Sequence, residues 1–144
     1  MSKGIRSFIK AIPQNCSGCR LCELVCSEKH NPGWTSPKQS RIRVAIEHRE
    51  NENVPRVCIQ CEEHPCLDSC PLEAINLHPI LGIPIVDSDV CNGCRSCVDA
   101  CPHGFMFFDD HRNVAIKCDL CEGEPACIET CKVGALVFEQ PKAC

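Results

Sequence analysis

Apolar and polar positions along this chain alternate in short runs separated by turn residues. In RIRVAIEH, Ile42, Val44 and Ile46 fall on every second position, which predicts a half-buried strand. Two further apolar runs, 105–109 and 114–117, flank the polar stretch 110–113 and read as a hairpin. GALVFEQ, residues 134–140, predicts another strand. Between them the pattern gives a short helix over 71–76, a turn near 79–82 and a strand over 83–87. The predicted class is α+β, with short strands and short helices.

No run is long enough or apolar enough to cross a membrane, so direct membrane insertion is not expected. The apolar fraction is 44%, but it includes 17 cysteines; without them about a third of the 144 residues remains. With five Phe, one Trp and no Tyr, that stock is thin for a self-sufficient core. Disulfides or metal centres are therefore expected to hold the fold. MSKGIRSFIKAIPQNC shows neither an apolar export stretch nor twin arginines. The expected location is the cytoplasm, where thiols stay reduced and clustered cysteines bind metal. The net charge is −4 and the 15 Lys and Arg are scattered, so nucleic acid is not an expected partner.

The cysteines fall into four groups of four. Group one is Cys16, Cys19, Cys22 and Cys26; group three is Cys91, Cys94, Cys97 and Cys101. Both have the spacing C-x2-C-x2-C-x3-C. Group two (Cys58, Cys61, Cys66, Cys70) and group four (Cys118, Cys121, Cys127, Cys131) widen the middle gap and keep the final x3. Three cysteines spaced this way wrap one [4Fe–4S] cubane, and the fourth, expected to start a short helix, points to another cluster. Gly18 and Gly93 suit a tight wrap that brings backbone N–H groups near sulfide. Structural zinc is the competing reading, but it uses two separate C-x2-C pairs around one ion. Four clusters are the expected cofactors. Cys144 belongs to no group and reads as a free thiol.

Groups two and three are joined by PLEAINLHPILGIPIVDSDV, which resembles the two-cluster bacterial ferredoxin linker. They would form one inner unit, 51–104, leaving groups one and four to pair as an outer unit from 1–50 and 105–144. Two nested ferredoxin-like units related by pseudo-twofold symmetry follow. The resemblance implies crossed ligation. Cys16, Cys19 and Cys22 join Cys131, and Cys118, Cys121 and Cys127 join Cys26. Within the inner unit, Cys58, Cys61 and Cys66 join Cys101, and Cys91, Cys94 and Cys97 join Cys70. Sequential pairing, one with two and three with four, is the alternative.

With four such motifs, the chain resembles the four-cluster ferredoxin-like electron-transfer subunits of dimethyl sulfoxide reductase, formate dehydrogenase and formate hydrogenlyase. CRLCELVCSEKHNP, SRIRV and KCDLC look most like the short companions of tungsten aldehyde oxidoreductases, benzoyl-coenzyme A reductase and carbon monoxide dehydrogenase. The resemblance implies a non-catalytic subunit relaying single electrons to a catalytic oxidoreductase subunit, with a tungsten or molybdenum pterin. A ferredoxin or flavin subunit is a second possible redox partner. A free polyferredoxin shuttle, or a partner of carbon monoxide dehydrogenase or hydrogenase, is the alternative. No Gly-rich nucleotide loop or nucleophile–base pair suggests chemistry of its own.

Arg20, Arg95 and Lys117 flank motif cysteines; each is either a cation that favours the reduced cluster or a solvated charge beside a loop. His30, His64 and His103 read as surface or supporting residues, because no group lacks a cysteine. The excursion 27–57, with Pro32, Trp34, Pro37, Lys38, Arg41 and Arg43, is expected to be excess loop that docks the catalytic partner or shields clusters.

Overall fold

The computed structural model describes residues 7–50 and 52–139, so Gln140 and Cys144 lie outside the described residues. Its architecture is α+β. The described residues form four antiparallel strand pairs and four α-helices. Strand β1 (Phe8–Ala11) pairs with β8 (Leu136–Glu139), joining the two ends of the described chain, with Ile9 opposite Phe138. The other pairs are hairpins: β2 (Ile42–Glu47) with β3 (Glu52–Val57), β4 (Ile75–Leu77) with β5 (Pro84–Val86), and β6 (Phe107–Asp109) with β7 (Val114–Ile116).

The helices are α1 (Leu21–His30), α2 (Pro65–Ser69), α3 (Ser96–Ala100) and α4 (Ala126–Thr130). Each carries the third cysteine of a group, and α1 also carries the fourth, Cys26. The fourth cysteine therefore does not start a helix, as the motif suggested. Cys70, Cys101 and Cys131 instead close α2, α3 and α4 in extended backbone. Pro71 and Pro102 explain two of these ends, because the residue before proline is pushed out of the helical region. Cys26 is followed by Ser27, and α1 runs on to ten residues.

The helix expected over 71–76 does not form. Glu73 is left-handed (φ 54°), and the Ala74 N–H donates to Cys70 Sγ at 3.3 Å rather than to a helical carbonyl. The chain then enters β4. Strands expected at 83–87, 105–109 and 114–117 are present, one or two residues shorter. In β2, Ile42 and Val44 are buried as the alternation requires, but Ile46 is 55% exposed at the strand end. The stretch 27–57 is not one long loop. Its beginning is the last turns of α1 and its end is the β2–β3 hairpin.

Helix α1 packs against α4, and α2 against α3, which is the nested order of the cysteine groups. One core holds Ile9, Ile42, Val57, Leu120 and Leu136 together with Cys26, Cys118 and Cys127. Ile83, from the loop leading to β5, is fully buried in that same core, so the segment between the second and third cysteine groups packs against both ends of the described chain. A second core packs Ile75, Met106 and Ala115 around Cys66 and Cys97.

Candidate metal centres

In all four groups the residue just before the second cysteine is left-handed. These are Gly18 (φ 75°), Gln60 (φ 52°), Gly93 (φ 80°) and Leu120 (φ 57°). The turn bends the chain around a common centre, at no steric cost for glycine and about 1–2 kcal/mol for an L side chain. Gln60 and Leu120 are fully buried, and their packing offsets that strain. Arg20, His64 and Arg95, also left-handed, then launch α1, α2 and α3 so that the third thiol turns inward.

The cysteines gather across groups rather than within them. Cys16, Cys19 and Cys22 line one cavity with Cys131, walled by Val44, Leu136 and Ala135. Cys118, Cys121 and Cys127 line a second with Cys26, beside Ile9 and Val57. Cys91, Cys94 and Cys97 line a third with Cys70, beside Ile75 and Ala115. Near Cys61, burial raises the thiol first, and the neighbouring Cys58 and Cys101 raise it further.

Backbone N–H groups point at sulfur in this arrangement. Arg41 donates to Cys26, Gln60 to Cys58, Ala74 to Cys70 and Phe105 to Cys101, each at 3.3 Å. Such donors stabilise negative charge on sulfur. Burial opposes it. Burial first, then Glu23 and the thiols of Cys16 and Cys19, push Cys22 up to about 12. Burial and the Cys26 and Cys121 thiols push Cys127 to about 12, and burial with Cys91 pushes Cys97 to about 11. Thiols raised in this way give up their protons to solvent as a metal binds, so loading and folding are coupled. Apolar walls, inward N–H donors and four thiols per set fit four [4Fe–4S] clusters.

Charged side chains complete the surroundings. Lys117 is buried rather than solvated, with its Nζ bound to Gln60 Oε1, Pro84 O and Cys118 O. Arg20 pairs with buried Glu23 at 3.4 Å, and Glu23 in turn accepts from the Val44 N–H. Arg95 is half-exposed, stacked 3.8 Å over Phe108 and paired with Asp110. His30 lies between Cys26 O, 2.8 Å away, and Asp119. Burial would lower its pKa, but the Asp119 and Cys26 contacts outweigh this and hold it up to about 9. Burial would raise Asp119, yet His30 and the Cys121 N–H hold it near 2. His103 stacks on Phe105, and His64 precedes α2. Of the expected docking residues, Arg41 is half-buried and Arg43 stacks 4.2 Å over Phe107, whereas Trp34 is 49% exposed with its edge on His111. The buried placement of Lys117 and Gln60 was missed from the sequence, because their partners lie up to 58 residues away.

Cysteine sets of this kind on paired hairpins and short helices define a ferredoxin-like iron–sulfur protein of the electron-transport class. The chain belongs to the 4Fe-4S dicluster domain family, which matches residues 49–141, and a 4Fe-4S binding domain matches residues 13–29. It is 43% identical over 97 residues to the polyferredoxin-like subunit of an aliphatic sulfonate oxidoreductase of Pyrococcus furiosus, covering 67% of this chain and 55% of the relative. It is 31% identical over 121 residues to a sulfite dehydrogenase subunit of Allochromatium vinosum, covering 72% of this chain and 50% of the relative. The chain thus spans about half the length of these curated relatives. Among solved structures, a chain of the BamBC active-site complex of benzoyl coenzyme A reductase superposes with a TM-score of 0.56 at 26% identity. That match covers 96% of this chain and 81% of the other. Among the described residues, no helix is long and apolar enough to cross a membrane.

Proposed function

We propose that this chain holds four [4Fe–4S] clusters in crossed cysteine quartets and serves as the electron-transfer subunit of an oxidoreductase complex. Its catalytic partner would carry a tungsten or molybdenum pterin of the aldehyde oxidoreductase type. The outer unit falls within 1–50 and 105–144, and the inner within 51–104. The observation that carries this reading is the gathering of three cysteines of one group with the fourth cysteine of its partner group around a common cavity. The likeness to a chain of the benzoyl coenzyme A reductase active-site complex supports the choice of partner.

When bound, each cluster supplies one reversible electron. The protein's part is to hold and shield. The sixteen thiolates fix position, and the N–H donors of Arg41, Gln60, Ala74 and Phe105 favour charge on sulfur. The apolar walls exclude water. Among the described residues, Cys19 and Cys94 are the exposed cysteines, one in each of two different quartets, whereas Cys118 and Cys127 are buried. Exposed sites in two different quartets suit a chain that meets a redox partner at each end.

Anaerobic purification of the native complex tests the reading. The chain should co-elute with a larger protein containing tungsten or molybdenum. A chain that elutes alone, close to its own 15.9 kDa, would instead favour a free shuttle.

A further inference from the structure

Lys117 sits at the join between the two units. It is 3% exposed, and among the described residues no carboxylate contacts its ammonium. Its three acceptors are all neutral carbonyl oxygens: Gln60 Oε1 at 2.7 Å, Pro84 O at 2.7 Å and Cys118 O at 3.0 Å. Three acceptors match the three N–H donors of an ammonium, whereas a neutral amine would bring only two. A cation this buried, facing only neutral dipoles, is costly unless negative charge lies nearby.

Clusters bound in the two neighbouring quartets would supply that negative charge on both sides of it. Gln60 lies between Cys58 and Cys61 of group two, and its Nε2 also donates to Cys118 O of group four at 2.9 Å. Lys117 Nζ lies 3.0 Å from Cys118 O, and its partner Gln60 donates its backbone N–H to Cys58 Sγ at 3.3 Å. One lysine therefore faces the inner quartet of Cys58, Cys61, Cys66 and Cys101 and the outer quartet of Cys118, Cys121, Cys127 and Cys26. Crossing from Cys118 to Gln60, the hydrogen-bonded group also locks the two units in register.

We infer that Lys117 is a positioning residue whose fixed charge is shared by the two central clusters and selectively raises both of their reduction potentials. This rests on the crossed four-cluster reading. More negative charge accumulates on each cluster when it is reduced, so a nearby cation favours the reduced form. The two outlying clusters, held by the quartets containing Cys19 and Cys94, feel this charge less. The consequence is a wire whose middle is electrostatically distinct from its ends.

Potentiometric titration of the anaerobic holo-protein, followed by electron paramagnetic resonance, tests this. Lys117→Met keeps much of the side-chain volume and removes the charge. Two of four midpoint potentials should fall while the other two stay in place. Gln60→Glu keeps the lysine but sets a carboxylate against it, and should lower the same two. Four retained clusters with no selective shift in either variant would overturn the inference while leaving the four-cluster reading intact. A Lys117→Met protein that loses iron leaves the decision to Gln60→Glu. A wild-type chain without four titrating centres would remove both the reading and the inference.

Discussion

His30 Nε2 lies 3.0 Å from Asp119 Oδ1, bridging 89 residues of sequence between the last turn of α1 and the start of group four. The same carboxylate accepts from the Cys121 N–H at 2.9 Å. His30 is also tied to the carbonyl of Cys26, so one short chain of bonds fixes Cys26 and Cys121 relative to each other. Those two cysteines come from opposite ends of the chain and line the same cavity.

Asp119→Ala removes both bonds and, with them, the contact that keeps the half-buried His30 protonated. The holo-protein should lose about 2–3 kcal/mol of stability. Iron should be lost first from the quartet of Cys26, Cys118, Cys121 and Cys127. Chemical denaturation with parallel iron analysis checks this, and an unchanged midpoint with full iron would show that the bridge is dispensable.

Glycine at the wrap turns is predicted to matter unequally. A Cβ on Gly93 would meet the Asn113 side chain at 2.6 Å and its carbonyl oxygen at 2.7 Å, at a φ of +80°. The nearest atoms to a Cβ on Gly18 belong to the Asn53 side chain, at 2.9 Å, which can swing away. Both substitutions carry the left-handed penalty of about 1–2 kcal/mol. Gly93→Ala should cost more, and should lower iron occupancy where Gly18→Ala does not. Iron content and thermal midpoints of the pair decide it.

The β6–β7 turn supplies a pH prediction. Burial would raise Asp109, but Arg112 and the N–H groups of Arg112 and His111 hold its carboxyl below the usual range. A depressed folded pKa contributes stability at pH above the ordinary carboxylate range of about 4, and that stability is lost as pH falls below it. Asp109→Asn should therefore destabilise the chain at neutral pH and flatten the loss of stability between about pH 5 and pH 3. A variant with the same acid profile as wild type would exclude this carboxylate as a contributor.

Much of this was legible in the sequence, for identifiable reasons. Cysteine spacing is a local constraint, and the 105–117 hairpin and the strand before Cys91 carry clear alternation between turn residues. Strand β3 was not read, because ENVPRV offers three polar residues and a proline where alternation is sought; its pairing with β2 decides it. Nor was β1, a four-residue strand completed only by β8 at the other end of the chain. The helix read at 71–76 had suitable residues, but the Ala74 N–H goes to sulfur. Left-handed Gln60 and Leu120 carry no glycine signal, since packing holds them there. Lys117 stayed open between a cluster-facing cation and a solvated loop charge, because its acceptors come from two distant segments.

Crossed pairing makes a specific claim about Cys131. It lines the cavity of Cys16, Cys19 and Cys22, although it lies in group four. Cys131→Ser should perturb the spectrum of that quartet's cluster and leave the cluster of Cys118, Cys121 and Cys127 intact. If the group-four cluster changes instead, Cys131 serves its own group and the crossed pairing is wrong.

The measurement that bears most directly on the whole account is metal and sulfide analysis of anaerobically purified protein. Four cubanes require about 16 iron and about 16 acid-labile sulfide per chain, with little zinc. A chain holding about four metal ions, mostly zinc, and no sulfide would contradict it.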